Sequence, residues 1–320
     1  MALQRTELLM APFPWFGGKS AAAELVWEHL GIDIRNYVEP FFGSGAVLLN
    51  MPDEVRSWAV VNDLDGFVAN FWRAIAADFE TVALHSDAQV NEFDLQARHQ
   101  YLVDQKEEMT RKLKEDPEYF DARIAGWWAW GCCSWIGGGW CADKRVSPSG
   151  GFRSVKKQLP RIGNGGQGVN RQLPYLPNGA RGDRASILNE WFSRIKSKLR
   201  EARVTCGDWE RICTVSVMTG NGPCAVFLDP PYGTTPDVYA VDSRTVAEDV
   251  RRWCLENGNN LQLRIALCGH VGQHEILESS GWSVALPKSR GGYQGADDRE
   301  RIWFSPGCLR PAGYTVLSLF

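Results

Sequence analysis

The chain has 320 residues, 44% of them hydrophobic, with 35 basic and 38 acidic side chains and a formal net charge of −3. This length suits one large domain or a domain with an insertion, and the balanced charge excludes a polycation that binds nucleic acid over its whole surface. Nine irregularly spaced cysteines argue against a secreted disulfide scaffold, and the absence of a signal-peptide core or of about 18 consecutive apolar residues predicts a soluble cytoplasmic protein.

The first third of the chain is predicted to alternate strands and helices. A short strand at 36–40 (NYVEP) passes through FFGSG into a helix, and a second strand follows at 58–63 (WAVVND). The next helix has Phe67, Phe71 and Ile75 on one face. Strand, glycine turn, helix and strand form the βαβ pattern, so we predict an α/β fold with a Rossmann-like parallel sheet.

The middle of the chain differs in composition from both ends. Residues 79–125 are polar and favour helices, whereas 127–184 are rich in Gly, Trp and basic residues. We interpret the tryptophans as helix positions that pack into a core, with base stacking as the alternative. No CxxC pair accompanies Cys132, Cys133 and Cys141, so we expect no metal site. The basic residues of this segment are Lys144, Arg145, Arg153, Lys156, Lys157, Arg161, Arg171, Arg181 and Arg184.

Regular patterns resume at residue 185. An amphipathic helix at 185–202 is followed by strands at VTC, AVFLD, RIALC and WSVAL, and by a helix at 244–258 that ends at Gly258. The segment RERIWFSP is predicted to be a final strand that pairs antiparallel at the edge of the sheet.

The turn after the first strand is a candidate cofactor crevice. Ligands of open α/β sheets bind beyond the carboxyl ends of the strands, where Gly43 and Gly45 allow a close backbone approach. Asp63 ends the second strand, twenty residues after Gly43, at the spacing of an acid that binds ribose hydroxyls. The missing third glycine and the acid Glu39 argue against a pyrophosphate and favour a cationic or amino-bearing ligand. A tight turn with capping acids is the alternative.

The peptide Asp229-Pro230-Pro231-Tyr232 follows a buried strand. Two prolines stiffen the backbone and keep it out of the sheet, which leaves the Asp229 carboxylate and the Pro230 carbonyl to accept hydrogen bonds from one donor. Tyr232 adds an aromatic face. This arrangement suits a planar heterocycle with an exocyclic amine that attacks a methyl sulfonium. An ordinary Pro-Pro turn capped by Asp229 is the alternative.

Three segments in this order resemble the Dam-type, alpha-group adenine-specific DNA methyltransferases. PFPWFGGKS (12–20) resembles their N-terminal motif, VEPFFGSGAV (38–47) their cofactor loop, and FLDPPY (227–232) their catalytic motif. CGDWERI (206–212) is similar to their Asp-aromatic pair near the cofactor adenine, and ERIWFSP to their terminal strand. The resemblance implies a Rossmann-like methyltransferase sheet that uses S-adenosyl-L-methionine.

The resemblance also implies roles for individual residues. Asp63 would hold the ribose, Asp208 and Trp209 would flank the cofactor adenine, and Tyr232 would stack on a flipped base. Glu39 stands where the family often has Asp. The implied cofactor-binding residues are Trp15, Gly17, Gly18, Lys19, Glu39, Pro40, Phe41, Gly43, Ser44, Gly45, Asp63, Asp208, Trp209 and Asp229. The implied catalytic residues are Asp229, Pro230, Pro231, Tyr232 and Lys19.

The expected organisation is a discontinuous catalytic domain, 1–78 and 186–320, with an inserted target-recognition domain at 79–185. Within the insertion, Lys144, Arg145, Arg153, Lys156, Lys157, Arg161 and Arg171 are expected to bind double-stranded DNA, with a solvated basic face as the alternative. We expect a monomer, acting alone or beside a restriction endonuclease. Cytosine, RNA or a glutamine side chain as methyl acceptor, and a catalytically silent DNA-binding relative, are the alternative functions.

Overall fold

The structure is a computed structural model that describes residues 9–15, 19–135, 140–141, 184–232, 243–287 and 299–311. The described residues form two compact units. The first lies within Met1–Ala11, Trp15–Leu64 and Lys198–Phe320, and the second within Pro12–Pro14 and Asp65–Ser197. The insertion predicted at 79–185 therefore falls within the span of the longer segment of the second unit, Asp65–Ser197.

The described helices and strands include the predicted alternation to within a few residues and add two helices that were not predicted, Ala23–Leu30 and Val215–Met218. The helices are α1 Ala23–Leu30, α2 Ala46–Leu49, α3 Gly66–Ser86, α4 Glu92–Glu115, α5 Ala122–Ser134, α6 Arg184–Leu199, α7 Val215–Met218 and α8 Ser243–Asn257. The strands are β1 Asn36–Glu39, β2 Trp58–Asp63, β3 Ala202–Cys206, β4 Cys224–Leu228, β5 Leu263–His270, β6 Ser283–Ala285 and β7 Glu300–Phe304. Within these residues no helix is both long and apolar enough to cross a membrane.

The first unit contains a mixed sheet of the seven described strands in the order β3-β2-β1-β4-β5-β7-β6. Strands β1 to β5 are parallel, and β7 runs antiparallel to both of its neighbours. Chain order reverses between β1 and β4, which are hydrogen-bonded neighbours. Ligands of open α/β sheets bind beyond the carboxyl ends of strands at such a reversal, so this edge is the place to look for a site.

The position of β7 differs from the prediction. Its antiparallel direction is confirmed, but it does not lie at the edge of the sheet. Trp303 pairs with Leu267 of β5 on one side and with Val284 of β6 on the other. Since β7 pairs with β5 on one side and with β6 on the other, the three-residue β6 is the edge strand of the described sheet.

Helix α8 and strands β4 and β5 form part of the core of the first unit. All five residues of β4 are buried, as a strand covered on both faces requires. Val250 and Cys254 give α8 an apolar face in the same core cluster as Val226 and Ile265. The Gly258 N–H donates to the Cys254 carbonyl at 2.8 Å, which confirms the predicted end of this helix.

The second unit, in its described part, is helical. Trp128 and Trp130 of α5 are buried, and Phe13 packs edge-on against Trp128 and Phe71. The interpretation of the α5 tryptophans as core residues is therefore confirmed for this pair. The basic tract at 144–183 lies outside the described residues.

Candidate active site

Polar side chains of the first unit meet beyond the carboxyl ends of β1, β2 and β4, beside the start of β7. The loop after β1 carries the predicted crevice glycines, β2 ends in Asp63, and β4 leads into Asp229. Lys19 reaches the same place from the segment that precedes α1. Gly17 and Gly18, also predicted here, lie outside the described residues.

The loop after β1 turns sharply through left-handed backbone. Gly43 has φ +46° and Gly45 has φ +67°, values that residues with a Cβ rarely adopt. The Gly43 N–H donates to Oδ2 of Asp63 at 2.8 Å, so these two residues are in direct contact. The ribose-binding role of Asp63 stays a prediction. A Cβ on Gly43 would overlap the Trp15 indole, which lies against this loop.

Asn62 of β2 joins two loops and strand β3 through one buried carboxamide. Its Nδ2 donates to the carbonyls of Pro40 and Gly207 at 3.1 and 2.9 Å, and its Oδ1 accepts from the Thr205 hydroxyl at 2.9 Å. These bonds fix the loops after β1 and β3 relative to the end of β2. No sequence motif singled out Asn62, because its partners are distant in the chain.

Glu39 ends β1 with its side chain only 2% exposed. Its carboxylate accepts a hydrogen bond from the Tyr37 hydroxyl at 2.8 Å. Burial raises the pKa of Glu39 well above its usual range, the Tyr37 hydrogen bond acts against this rise, and the nearby Asp229 adds to it. A cation near Glu39 would favour its ionised form, so the crevice suits a positively charged ligand.

Aromatic rings lie beside the crevice. Phe41 follows β1 and packs on Trp209 with a centroid distance of 6.0 Å. Asp208 caps the short 3-10 helix Trp209–Ile212 by accepting from the Glu210 N–H at 2.9 Å. The pair Asp208 and Trp209, expected to flank a cofactor adenine, is thus fixed in place by a helix start.

The peptide after β4 contains the most concentrated charge interactions of the site. Lys19 Nζ lies 3.0 Å from Oδ2 of Asp229 and 2.8 Å from Oε1 of Glu300. The Tyr232 hydroxyl donates to Oδ1 of Asp229 at 2.8 Å and lies 3.4 Å from Oε1 of Glu300. Pro230 is buried and Pro231 partly buried, which holds this peptide against the sheet. We call Lys19, Asp229, Tyr232 and Glu300 the acid–lysine cluster.

Burial and neighbouring charges shift the pKa values in the acid–lysine cluster. Burial lowers the pKa of Lys19, but Asp229 and Glu300 outweigh it and raise that pKa above its usual value, so Lys19 is a cation. Burial raises the pKa of Asp229, Lys19 lowers it, and Glu300 raises it further. Burial beside Asp229 also raises the pKa of Tyr232, which keeps its hydroxyl protonated and able to donate.

Strand β5 supports the aromatic ring of the cluster. His270 packs edge-on against Tyr232 at 4.6 Å, and Gln273 donates to the Tyr232 carbonyl at 2.5 Å. The buried Cys268 thiol lies beside the same ring, and burial raises its pKa well above the usual range. Sequence reasoning missed Cys268 and Glu300, although Glu300 stands at the start of the quoted segment ERIWFSP.

The mostly parallel sheet of the described residues, with helices between its strands, is consistent with a Rossmann-like methyltransferase fold. Residues 15–125 match the model of the family described as D12 class N6 adenine-specific DNA methyltransferase. This match indicates an adenine-specific DNA methyltransferase and confirms the resemblance seen in the motifs. No curated protein matched the chain. Among the described residues, no group of three His, Cys, Asp or Glu side chains could hold a metal ion.

Proposed function

We propose that this protein transfers a methyl group from S-adenosyl-L-methionine to the exocyclic 6-amino group of an adenine flipped out of duplex DNA. The observation that carries the proposal is the Asp229 carboxylate, held by Lys19 and Tyr232 where β4 ends, beside the crevice of β1. Such a carboxylate accepts the hydrogens of an amine whose nitrogen must present its lone pair.

The crevice residues fit the chemical groups of this cofactor. The glycine loop at Gly43 allows a close approach, and the Asp63 carboxylate suits ribose hydroxyls. The acid Glu39 suits a cationic group, and Phe41 with Trp209 offers aromatic surface for an adenine ring. When bound, the cofactor supplies a methyl carbon whose bond to sulfur breaks, with the electron pair staying on sulfur, as the amine nitrogen bonds to that carbon and then loses one proton.

Asp229 and Pro230 orient the amine in this proposal. Two acceptors on its hydrogens favour the pyramidal nitrogen whose lone pair points away from the base plane. Asp229 also accepts the proton that the methylated nitrogen releases. The Tyr232 ring, supported by His270, replaces part of the stacking that the base loses when it leaves the duplex.

The remaining parts of the proposal concern DNA and domain organisation. Residues 1–78 and 186–320 would form the catalytic domain, and 79–185 would recognise the target sequence. Lysines and arginines between 144 and 171 would neutralise phosphates, because phosphate contacts supply most of the affinity for DNA. These assignments rest on composition and on the resemblance.

The direct test uses the Asp229→Ala variant and isotope-labelled cofactor. We expect wild-type protein to label duplex DNA, with the label in N6-methyladenine after digestion to nucleosides. Asp229→Ala should lower the single-turnover rate by about 100-fold or more, because it removes a preorganised acceptor, while cofactor affinity stays largely intact. Asp249→Ala, which removes an exposed acid of α8, is the matched control and should retain the wild-type rate.

Two results would contradict the proposal. Label found in cytosine or in RNA, and not in adenine of DNA, would show that the methyl acceptor is different from the one proposed. An Asp229→Ala rate within tenfold of wild type would show that the acceptor lies elsewhere.

A further inference from the structure

Glu300 contacts both donors that also contact Asp229. Its Oε1 lies 2.8 Å from Lys19 Nζ and 3.4 Å from the Tyr232 hydroxyl. Glu300 is the first residue of β7 and pairs with His270 of β5, whose ring supports Tyr232. Because β7 is antiparallel to β5, its first residue lies at the carboxyl end of the parallel strands, where Asp229 also lies.

The two oxygens of Asp229 already have partners in this structure. Oδ2 is engaged by Lys19 and Oδ1 by Tyr232. A target amine that donates to Asp229 must compete with these donors. Losing either bond without compensation would leave a buried ammonium or hydroxyl poorly satisfied, which is unfavourable.

The charges of Lys19, Asp229 and Glu300 also indicate that a second carboxylate is needed beside Lys19. Lys19 carries one positive charge and is 4% exposed, with a carboxylate on each side. If Asp229 were its only partner, the pair would be neutral and the cation would hold the carboxylate that the substrate needs. A second carboxylate leaves the cluster with a net charge of about −1, which preserves the strength of Asp229 as a hydrogen-bond acceptor.

We propose that Glu300 is a positioning residue that holds Lys19 and the Tyr232 hydroxyl while Asp229 exchanges those partners for the amino group of the target base. This inference rests on the proposed function and assigns to Glu300 a role in the same site. In this proposal Glu300 acts through Lys19 and Tyr232, the two donors that its carboxylate contacts.

The pH dependence of the reaction reports on this role. The ionisable groups around Asp229 are Lys19, Glu39 and Tyr37 of β1, Tyr232, Cys268 and His270 of β5, and Glu300 of β7. Asp229 must be ionised to accept, so the rate falls as pH drops through its pKa. The charge of Glu300 raises that pKa, and Glu300→Gln should therefore move the acidic limb of the rate profile to lower pH.

The experiment measures single-turnover methyl transfer to duplex DNA against pH for wild type, Glu300→Gln and Glu275→Gln. Glu300→Gln should lower the plateau rate by about tenfold and shift the acidic limb down by about half a pH unit, with cofactor affinity unchanged. Glu275→Gln removes the first acid of the 3-10 helix Glu275–Ser280, which follows β5, and should match wild type in both respects.

A second variant covers the case in which Glu300→Gln does not fold. Glu300→Asp keeps the charge but shortens the reach, so it should lower the plateau rate and leave the acidic limb in place. A wild-type plateau in Glu300→Asp, or a wild-type plateau and limb in Glu300→Gln, overturns this inference alone. A folded wild-type protein that methylates no adenine overturns the proposed function and this inference with it.

Discussion

Gly43 satisfies two constraints that one added methyl group would break. Its φ of +46° is strained for other residues, and a Cβ would overlap the Trp15 indole. Its N–H also positions Asp63. Local strain and the packing of the crevice therefore depend on the same residue.

We predict that Gly43→Ala lowers the free energy of unfolding by about 1–2 kcal/mol and weakens binding of the proposed cofactor, S-adenosyl-L-methionine, by about tenfold or more. Gly281→Ala is the matched control, because Gly281 has φ +84° but a Cβ there meets only Pro306, at 3.6 Å. It should lose stability through backbone strain alone and keep its affinity for the proposed cofactor. Chemical denaturation and calorimetry separate the two effects, and equal affinities for the two variants would contradict the prediction.

The short 3-10 helix Glu275–Ser280 is anchored by a buried histidine. His274, 1% exposed, packs edge-on against Trp303 of β7 at 5.2 Å. Burial, with a contribution from Arg251 and an opposing one from Glu275, lowers the pKa of His274 to about 4. In the part of the chain that the structure describes, its Nδ1 has no hydrogen-bond partner, so a proton gained there would be poorly stabilised.

Protonation of His274, at the start of this 3-10 helix, should make the stability of the protein depend on pH. The unfolded chain binds a proton at His274 below about pH 6.5, whereas the folded chain binds it only near pH 4. The free energy of unfolding therefore decreases as pH falls from 6.5 to 4. Between pH 7 and pH 5 the free energy of unfolding should fall by about 2 kcal/mol more in wild type than in His274→Gln. Urea titrations at both pH values measure this difference, and parallel losses in the two proteins would contradict it.

At the scale of the whole molecule, binding of DNA should depend on the basic tract. Lys156→Ala combined with Lys157→Ala should weaken binding to all duplex sequences and reduce the slope of log affinity against log salt by about 2, because each lost phosphate contact contributes about one unit. Arg200→Ala with Arg252→Ala removes two exposed charges from the first unit and is the control. Fluorescence anisotropy at several salt concentrations provides the measurement. An unchanged slope would rule out phosphate contacts at these lysines.

The sequence by itself determined the parallel α/β architecture, the crevice glycines and the peptide after β4. Each of these depends on local patterns, namely apolar runs that end in glycine or proline, whereas the contact between Asp63 and the Gly43 N–H is seen only in the structure. Strand periodicity and proline geometry are properties of neighbouring residues, so they can be read without the fold.

Only the tertiary structure decided where β7 lies and what its first residue does. Glu300 meets Lys19 and Asp229 because an antiparallel strand enters the sheet between β5 and β6. The same holds for Asn62, whose bonds join loops that are distant in sequence. Contacts between distant segments depend on strand order, and no local sequence pattern specifies between which two strands the last strand pairs.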